Sequence, residues 1–155
     1  MLADLDTTSP DRIEKRIELR ATRSRVWRAL TTAEEFGTWF RVKLDGAFAE
    51  GAVVRGRLTY PGYEQVTLEI AVDRMEPERL FSYRWHPNPT DGVDYSSEPT
   101  TLVEFRLADA NGGTLLTLVE SGFYRLPASR RAEAFRRNEG GWQIQLENVR
   151  RYVEG

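Results

Sequence analysis

The chain has 155 residues, of which 22 are basic and 24 acidic, so its formal net charge is -2 at pH 7. A chain of this length fits one domain with a single core, and its balanced charge lacks the basic excess typical of nucleic-acid-binding proteins. It contains no cysteine, which excludes disulfides, thiolate nucleophiles and cysteine-based metal sites.

The N-terminal segment is predicted to be a flexible tail over residues 1–11, followed by one domain over residues 12–155. This segment is polar, ends in Ser9 and Pro10, and has neither the basic nor the apolar region of a secretory signal. No stretch of the sequence is apolar over the length needed to cross a bilayer. We therefore expect a cytoplasmic protein with no stable membrane association and no nucleic-acid partner.

The N-terminal part of the domain predicts a strand followed by two short helices. Apolar and charged residues alternate from Arg12 to Arg20, which indicates a half-buried strand. Val26 and Leu30 then lie one helical turn apart, after Thr22 as a candidate N-cap. A second helix is predicted from Thr32, where a capping-box spacing of Thr and Glu precedes an apolar face that includes a Trp and two Phe.

The middle of the chain predicts an antiparallel meander, because strand-like runs recur at regular spacing between turn residues. With the first strand, the sheet has about six to seven strands. The predicted meander strands are Val42 to Phe48, Val53 to Tyr60, Gln65 to Met75, Arg79 to His86, Thr100 to Leu107 and Thr114 to Phe123.

A long amphipathic helix is predicted to begin just after Pro127. Its apolar residues recur at helical spacing, and Gly140 and Gly141 interrupt them, which predicts either a kink or a close approach to the backbone. The order of elements is that of an α+β fold, in which a curved antiparallel sheet wraps around the C-terminal helix. The predicted apolar stripe consists of Ala128, Ala132, Phe135, Trp142, Leu146, Val149 and Val153.

Several segments together resemble the helix-grip superfamily, which includes START lipid-transfer domains, Bet v 1 allergens and aromatic polyketide cyclases. Within it, the chain is most similar to bacterial proteins that resemble the C-terminal domain of the activator of Hsp90 ATPase. The resemblance implies a cavity between the sheet and the last helix, suited to hydrophobic or aromatic ligands, and it implies no particular reaction. The segments that carry it are Ala21-Thr22, Val26-Trp27, Trp39-Phe40, Leu80 to Trp85, Gly113 to Leu118, Ser121 to Phe123 and Gly141-Trp142.

The candidate ligand-binding residues are mostly aromatic, since aromatic rings stack on flat ligands. Plain core packing is the alternative, because core and pocket wall are largely the same residues in such a fold. The loop from Pro87 to Pro99 is predicted to be a gate, and two tyrosine hydroxyls are candidates for orienting a ligand. The candidates are Trp142 and Phe135 on the helix, Phe81, Tyr83, Trp85, Phe105 and Leu68 on the sheet, and Tyr60 and Trp39.

Glu120 and His86 are the candidates for acid-base catalysis. Glu120 lies on a strand that is apolar on both faces, so it is either buried with a raised pKa or a solvated partner for an Arg. The solvated alternative is favoured, because Glu is rarely buried without a partner. His86 is the only histidine, and strand alternation places it on the polar face at a strand end, where a surface position is favoured.

No metal or cofactor is predicted. A histidine-based metal site would lack a second histidine, and Asp91 and Asp94 do not have the spacing of a calcium loop. The leading functional prediction is binding of a small hydrophobic molecule, aromatic or lipid-like, by a monomer or homodimer. The alternatives are a cyclase, hydratase or hydrolase that uses Glu120 or His86, and a cofactor of an Hsp90-type chaperone.

Overall fold

The computed structural model describes residues 11–89 and 93–155, and the predicted tail over residues 1–11 lies outside these ranges apart from Asp11. Seven strands, three α-helices and one short 3-10 helix make up the described part. In chain order they are β1 (Arg12–Leu19), α1 (Arg23–Thr31), α2 (Ala33–Phe40), β2 (Val42–Leu44), β3 (Val53–Leu58), β4 (Thr67–Glu76), β5 (Leu80–Trp85), β6 (Thr101–Ala110), β7 (Gly113–Ser121), the 3-10 helix (Phe123–Arg125) and α3 (Ala128–Glu154).

All seven strands form one antiparallel sheet in the order β1-β7-β6-β5-β4-β3-β2. The strands from β2 to β7 are a meander, and β1 joins the sheet beside β7. The sheet is curved, and the long helix α3 packs against it together with α1 and α2. The predicted α+β fold is therefore confirmed.

One face of the sheet carries the core. Phe81, Tyr83 and Trp85 alternate on β5 and are all buried, as their strand spacing predicts. On the neighbouring β6, Val103 and Phe105 are buried opposite Tyr83 and Phe81. Apolar side chains from α2 and α3 complete this core, which combines aromatic and aliphatic residues.

Helix α3 runs unbroken through Gly140 and Gly141. A Cβ atom added at either glycine would meet no other atom within 4 Å, so close packing against the backbone does not explain the pair. The first part of the predicted apolar stripe is wrong, because Ala128 and Ala132 are exposed and Ala134 is buried instead. The buried face continues through Trp142, Gln145, Leu146 and Val149.

Some local predictions fail at element ends. Strand β2 ends at Leu44 rather than Phe48. The last strand ends at Ser121, because Gly122 adopts a positive φ of 99° and a 3-10 turn follows. Thr22 caps α1 through its side chain as predicted, whereas Thr32 makes no side-chain cap to α2.

Candidate functional site

Glu120 is the polar centre of the core. It lies near the end of β7, between Ile13 of β1 and Val103 of β6, and its exposed fraction is 0%. It shares the inward face of β7 with Leu116 and Leu118, both fully buried. The favoured prediction of a solvated Glu120 paired with an Arg is therefore wrong, and the buried alternative is correct.

Four neutral side chains donate hydrogen bonds to the Glu120 carboxylate. Oε1 accepts from Trp142 Nε1 at 2.8 Å and from Asn138 Nδ2 at 3.0 Å. Oε2 accepts from Thr101 Oγ1 at 2.6 Å, Trp85 Nε1 at 2.8 Å and Asn138 Nδ2 at 3.2 Å. The carboxylate thus connects strands β5, β6 and β7 to helix α3.

The register of the sheet brings these donors together. Trp85 at the end of β5 pairs with Thr101 at the start of β6. Glu120 lies on the next strand of the sheet, β7, beside the same end of β6. Asn138 and Trp142 are one helical turn apart on α3, so both side chains reach the same point. The sheet supplies two donors and the helix supplies two.

Burial raises the pKa of Glu120, and the hydrogen bonds from Thr101, Trp85, Asn138 and Trp142 lower it only in part. The hydroxyl of Tyr83 is also buried and has no hydrogen-bond partner among the described residues. Burial raises the pKa of Tyr83 well above its ordinary value, and the negative charge of Glu120 raises it further. Tyr83 is therefore uncharged at neutral pH.

A cavity of about 100 Å³ lies beside this network. Asn138 and Gly141 are half-buried and the other lining residues are buried, so the cavity approaches solvent at these two residues. Gly141 shares a helix face with Asn138 and Gln145, and its missing side chain leaves this space open. The lining residues are Phe40, Trp85, Asn138, Gly141, Trp142 and Gln145.

Three aromatic rings of the lining contact one another. The rings of Trp85 and Trp142 stack with centroids 5.7 Å apart and an interplanar angle of 28°. The Phe40 ring meets them edge-on, at 5.9 Å from Trp85 and 6.2 Å from Trp142. Because Glu120 holds both indole N–H groups, the two Trp rings have fixed orientations.

The other seven candidate ligand-binding residues do not line this cavity. Phe81, Tyr83, Phe105 and Trp39 are packed in the aromatic core, where Trp39 Nε1 donates to the Ala29 carbonyl at 2.8 Å. None of these four is among the residues that line the cavity.

Three candidates lie elsewhere. Phe135 packs edge-on against Phe123 at 5.2 Å. Tyr60 is half-exposed beneath the Arg41 guanidinium, 5.1 Å from it. Leu68 is buried beside a separate surface pocket.

His86 belongs to that second pocket, which has a volume of about 300 Å³ and is also lined by Leu68, Asp94 and Tyr95. Its Nε2 lies 2.9 Å from the carbonyl oxygen of Glu98, and its ring stacks on Tyr95. His86 is thus held at the base of the loop, and it neither donates to Glu120 nor lines the cavity beside it. Asp91 lies outside the described residues.

Arg130 of α3 fastens the ends of this loop. Its guanidinium donates to the Pro87 carbonyl at 2.8 Å, pairs with Glu98 at 2.7 Å and lies 4.8 Å from the Tyr95 ring centroid. The described loop residues line the surface pocket rather than the cavity at Trp142. No described residue of this loop lines the cavity at Trp142, and a gating role for the loop stays a prediction.

The sequence analysis did not name four residues of the site as candidates: Phe40, Thr101, Asn138 and Gln145. The signal for the last two was present, because Asn138 and Gln145 are polar residues in helical register with Trp142. Gln145 is buried and donates through Nε2 to the Phe40 carbonyl at 3.2 Å. Over residues 11–89 and 93–155, no three His, Asp or Glu side chains are grouped to hold a metal ion.

No helix in the described part of the chain has the length and apolar character needed to span a bilayer. Several solved structures have the same fold. Protein CV1439 from Chromobacterium violaceum is 20% identical over 95% of this chain and 99% of its own, with a TM-score of 0.74. The Aha1 dimer from Colwellia psychrerythraea is 17% identical over 92% of this chain and 96% of its own, with a TM-score of 0.68.

DynU16, described as a protein in the dynemicin biosynthetic locus, is 24% identical over 93% of this chain, with a TM-score of 0.71. The present chain covers 47% of DynU16, so it spans about half of that protein. At these identities the likeness shows the fold alone. A search of the curated proteins finds no match.

A family model described as "Activator of Hsp90 ATPase homolog 1-like protein" matches residues 20–154. This range covers most of the described sheet and all of the helices, including both the Glu120 network and the cavity. The resemblance noted from the sequence is thereby confirmed, and the chain belongs to the activator of Hsp90 ATPase homolog 1-like family.

Proposed function

We propose that this protein binds a small hydrophobic molecule in the cavity between the sheet and helix α3. The observation that carries the proposal is a cavity lined by three aromatic rings, two of which are held in place by a buried carboxylate. Orienting two indoles through one fully buried Glu is costly for folding alone. Such an arrangement is understandable if the side of these rings that faces the cavity contacts a ligand.

The size of the cavity restricts the ligand. Pockets for drug-sized molecules measure about 300 to 1,000 Å³, and a dry cavity of about 150 Å³ holds a benzene molecule. A space of about 100 Å³ therefore accepts a compact group of few heavy atoms. Neither of the two predicted ligand classes fits inside as a whole molecule, so the cavity holds a compact part of the ligand and the remainder lies at the opening beside Asn138 and Gly141.

Glu120 supports binding better than acid-base catalysis. An ionised carboxylate has about four lone-pair sites, and the donors from Trp85, Trp142, Thr101 and Asn138 occupy them. A substrate would have to displace one of these donors to reach a carboxylate oxygen. We infer that Glu120 is a positioning residue that fixes the rings of the cavity wall.

The test is a titration of small aromatic and aliphatic molecules, followed by thermal unfolding and intrinsic Trp fluorescence. A ligand that prefers the folded state raises the melting temperature by mass action. Trp85 and Trp142 line the cavity, so occupancy also changes their emission. A molecule that changes the melting temperature and the Trp emission equally in the wild-type protein and in the Gly141 variant described next would argue against this site.

Adjacent glycines supply a matched pair of variants. Gly141→Leu fills the cavity from the helix side, whereas Gly140→Leu adds the same side chain on the exposed side of α3. Both remove a helix glycine, and a Cβ at either position meets open space. We expect Gly141→Leu to abolish binding and Gly140→Leu to retain it; equal affinity in both variants would contradict the proposed site.

Two further predictions accompany this proposal. Turnover that is lost in Glu120→Gln while binding survives would favour the enzymatic alternative. Binding to an Hsp90-type protein, with no small-molecule ligand found, would favour the chaperone-cofactor alternative that the family name suggests. A cytoplasmic location and a monomeric or homodimeric state remain predictions, and sedimentation of the pure protein measures the latter.

A further inference from the structure

The Glu120 carboxylate is a buried charge with no cationic partner. The ion pairs of the described residues all involve other carboxylates, and several of these are well exposed, such as Glu69 with Arg55. Every hydrogen bond to Glu120 that the structure shows comes from a neutral indole, amide or hydroxyl. Buried charges in proteins are normally paired or bound to a cation.

The donors around Glu120 are arranged for the ionised form. The indole N–H groups of Trp85 and Trp142 can only donate, and both point at the carboxylate oxygens. A protonated carboxyl would place its own O–H among these donors, and of its partners only the Thr101 hydroxyl could accept from it. The donors from the two indoles and the Asn138 amide therefore favour the ionised form, against the burial that raises the pKa of Glu120.

The cavity adjoins this charge. Three of its lining residues, Trp85, Asn138 and Trp142, are the same residues that donate to Glu120. Only one layer of side chains thus separates the cavity from the carboxylate. A positive charge in the cavity would interact with Glu120 in a medium of low polarity, where such interactions are strong.

We propose that the occupant of this cavity carries a positive charge, as a small organic cation whose ammonium is covered by alkyl groups. This inference rests on the proposed binding function and specifies its ligand. Trp rings attract cations through their faces, and quaternary ammonium groups are recognised by aromatic cages in this way. The two Trp rings and the Phe40 ring line the cavity here.

The lining distinguishes an alkylated ammonium from other cations. A metal ion would require several oxygen or nitrogen ligands, and the amides of Gln145 and Asn138 are the only polar side chains in the lining. Both are engaged: Gln145 donates to the Phe40 carbonyl and accepts from Asn148, and Asn138 donates to Glu120. An alkylated ammonium needs few hydrogen bonds and suits a wall of rings.

The decisive probes are choline and its neutral isostere 3,3-dimethylbutan-1-ol, which has the same shape without the charge. The trimethylammonium or tert-butyl head is the compact group that the cavity accepts, and the hydroxyethyl chain lies at the opening beside Asn138 and Gly141. Each is titrated into the wild-type protein up to millimolar concentrations, which ligands of so few heavy atoms require. Sodium chloride at equal ionic strength controls for salt. We expect choline to bind at least about tenfold more tightly than the alcohol, and its binding to be lost in Gly141→Leu and kept in Gly140→Leu.

Each outcome is informative. If the alcohol binds as tightly as choline, with the same dependence on Gly141, the charge inference is overturned while the proposed function stands. If neither probe binds but a neutral aromatic molecule does, the inference again fails and the function again survives. If no small molecule binds a folded protein, both are overturned.

Glu120→Gln provides a second readout. The variant removes the charge and keeps the size of the side chain, but it also loosens the rings that Glu120 holds, so we expect both affinities to fall and the affinity for choline to fall more than the affinity for the alcohol. Unchanged choline binding in a folded Glu120→Gln protein would contradict the inference. Because this variant can lose stability, the comparison of the two probes in the wild-type protein decides independently.

Discussion

Replacing Glu120 by Gln tests the energetic account of the buried carboxylate. The substitution keeps one carbonyl oxygen as an acceptor and places an N–H₂ group against donors such as the Trp85 or Trp142 indole. In mild acid the raised pKa leaves Glu120 protonated in the folded protein, so a neutral hydrogen bond is lost, which contributes about 0.5 to 1.5 kcal/mol, and a buried donor is left unsatisfied, which costs about 1 to 3 kcal/mol. We therefore expect a net destabilisation of about 1.5 to 4.5 kcal/mol in mild acid.

The pH dependence of this loss has a defined sign. Burial raises the pKa of Glu120 in the folded state above the unfolded value of about 4.3. The folded protein then binds more protons than the unfolded chain between those two pKa values, so the contribution of Glu120 is greatest below about pH 4.3 and falls as pH rises through the folded pKa. Tyr83, the ionisable group that faces Glu120, stays neutral throughout.

The assay is urea unfolding of wild-type and Glu120→Gln protein at a series of pH values. The difference in the free energy of unfolding should narrow as pH rises above about 4.3, with a slope of at most about 1.4 kcal/mol per pH unit. Glu69→Gln, in an exposed pair with Arg55, is the control and should change stability by less than about 1 kcal/mol. A difference that widens with pH would refute the account, because the carboxylate would then be stabilised as a charge by folding.

Three further predictions concern other contacts. Trp142→Phe replaces the buried indole by a smaller ring without an N–H, which removes one donor to Glu120 and some packing, so we expect a loss of at least about 1.5 kcal/mol in urea unfolding; a smaller loss would contradict the network. Arg130→Ala should speed amide exchange in residues 93–98 without changing ligand affinity, because Arg130 contacts the loop and does not line the cavity. Weaker ligand binding in this variant would indicate that the loop contributes to the binding site. Burial raises the pKa of Glu35, but hydrogen bonds from Arg25 and Tyr152 outweigh it and lower that pKa, so Glu35→Gln should destabilise the protein at pH 7 and have a smaller effect as pH falls below about 4; an effect that grows in acid would be the opposite of this expectation.

The sequence predicts the fold because alternation and helical spacing repeat over long segments. Phe81, Tyr83 and Trp85 show the inward face of β5 without ambiguity. The same argument fails at Glu120, because both faces of β7 carry apolar residues and parity alone does not select one. The donors that make burial possible come from three other elements, which no local pattern reveals.

Local sequence patterns failed as predictions where the side chains form hydrogen bonds with residues of distant elements. The capping box at Thr32 fails because Glu35 accepts instead from Arg25 of α1 and from Tyr152 of α3. A glycine at position 141 is recognisable in the sequence as unusual for a helix interior, but the sequence does not show what lies next to it in the folded protein. The structure shows an open space there rather than a kink or a close contact.

The most direct test of ligand binding in this cavity is an NMR titration of the four Trp indole N–H signals with choline, 3,3-dimethylbutan-1-ol and the aromatic panel. Trp85 and Trp142 line the cavity, whereas Trp39 Nε1 is bonded to the Ala29 carbonyl within the core. The account predicts that a bound ligand shifts the signals of Trp85 and Trp142 first, and that Gly141→Leu abolishes these shifts. Saturable binding that leaves both signals unmoved would contradict it.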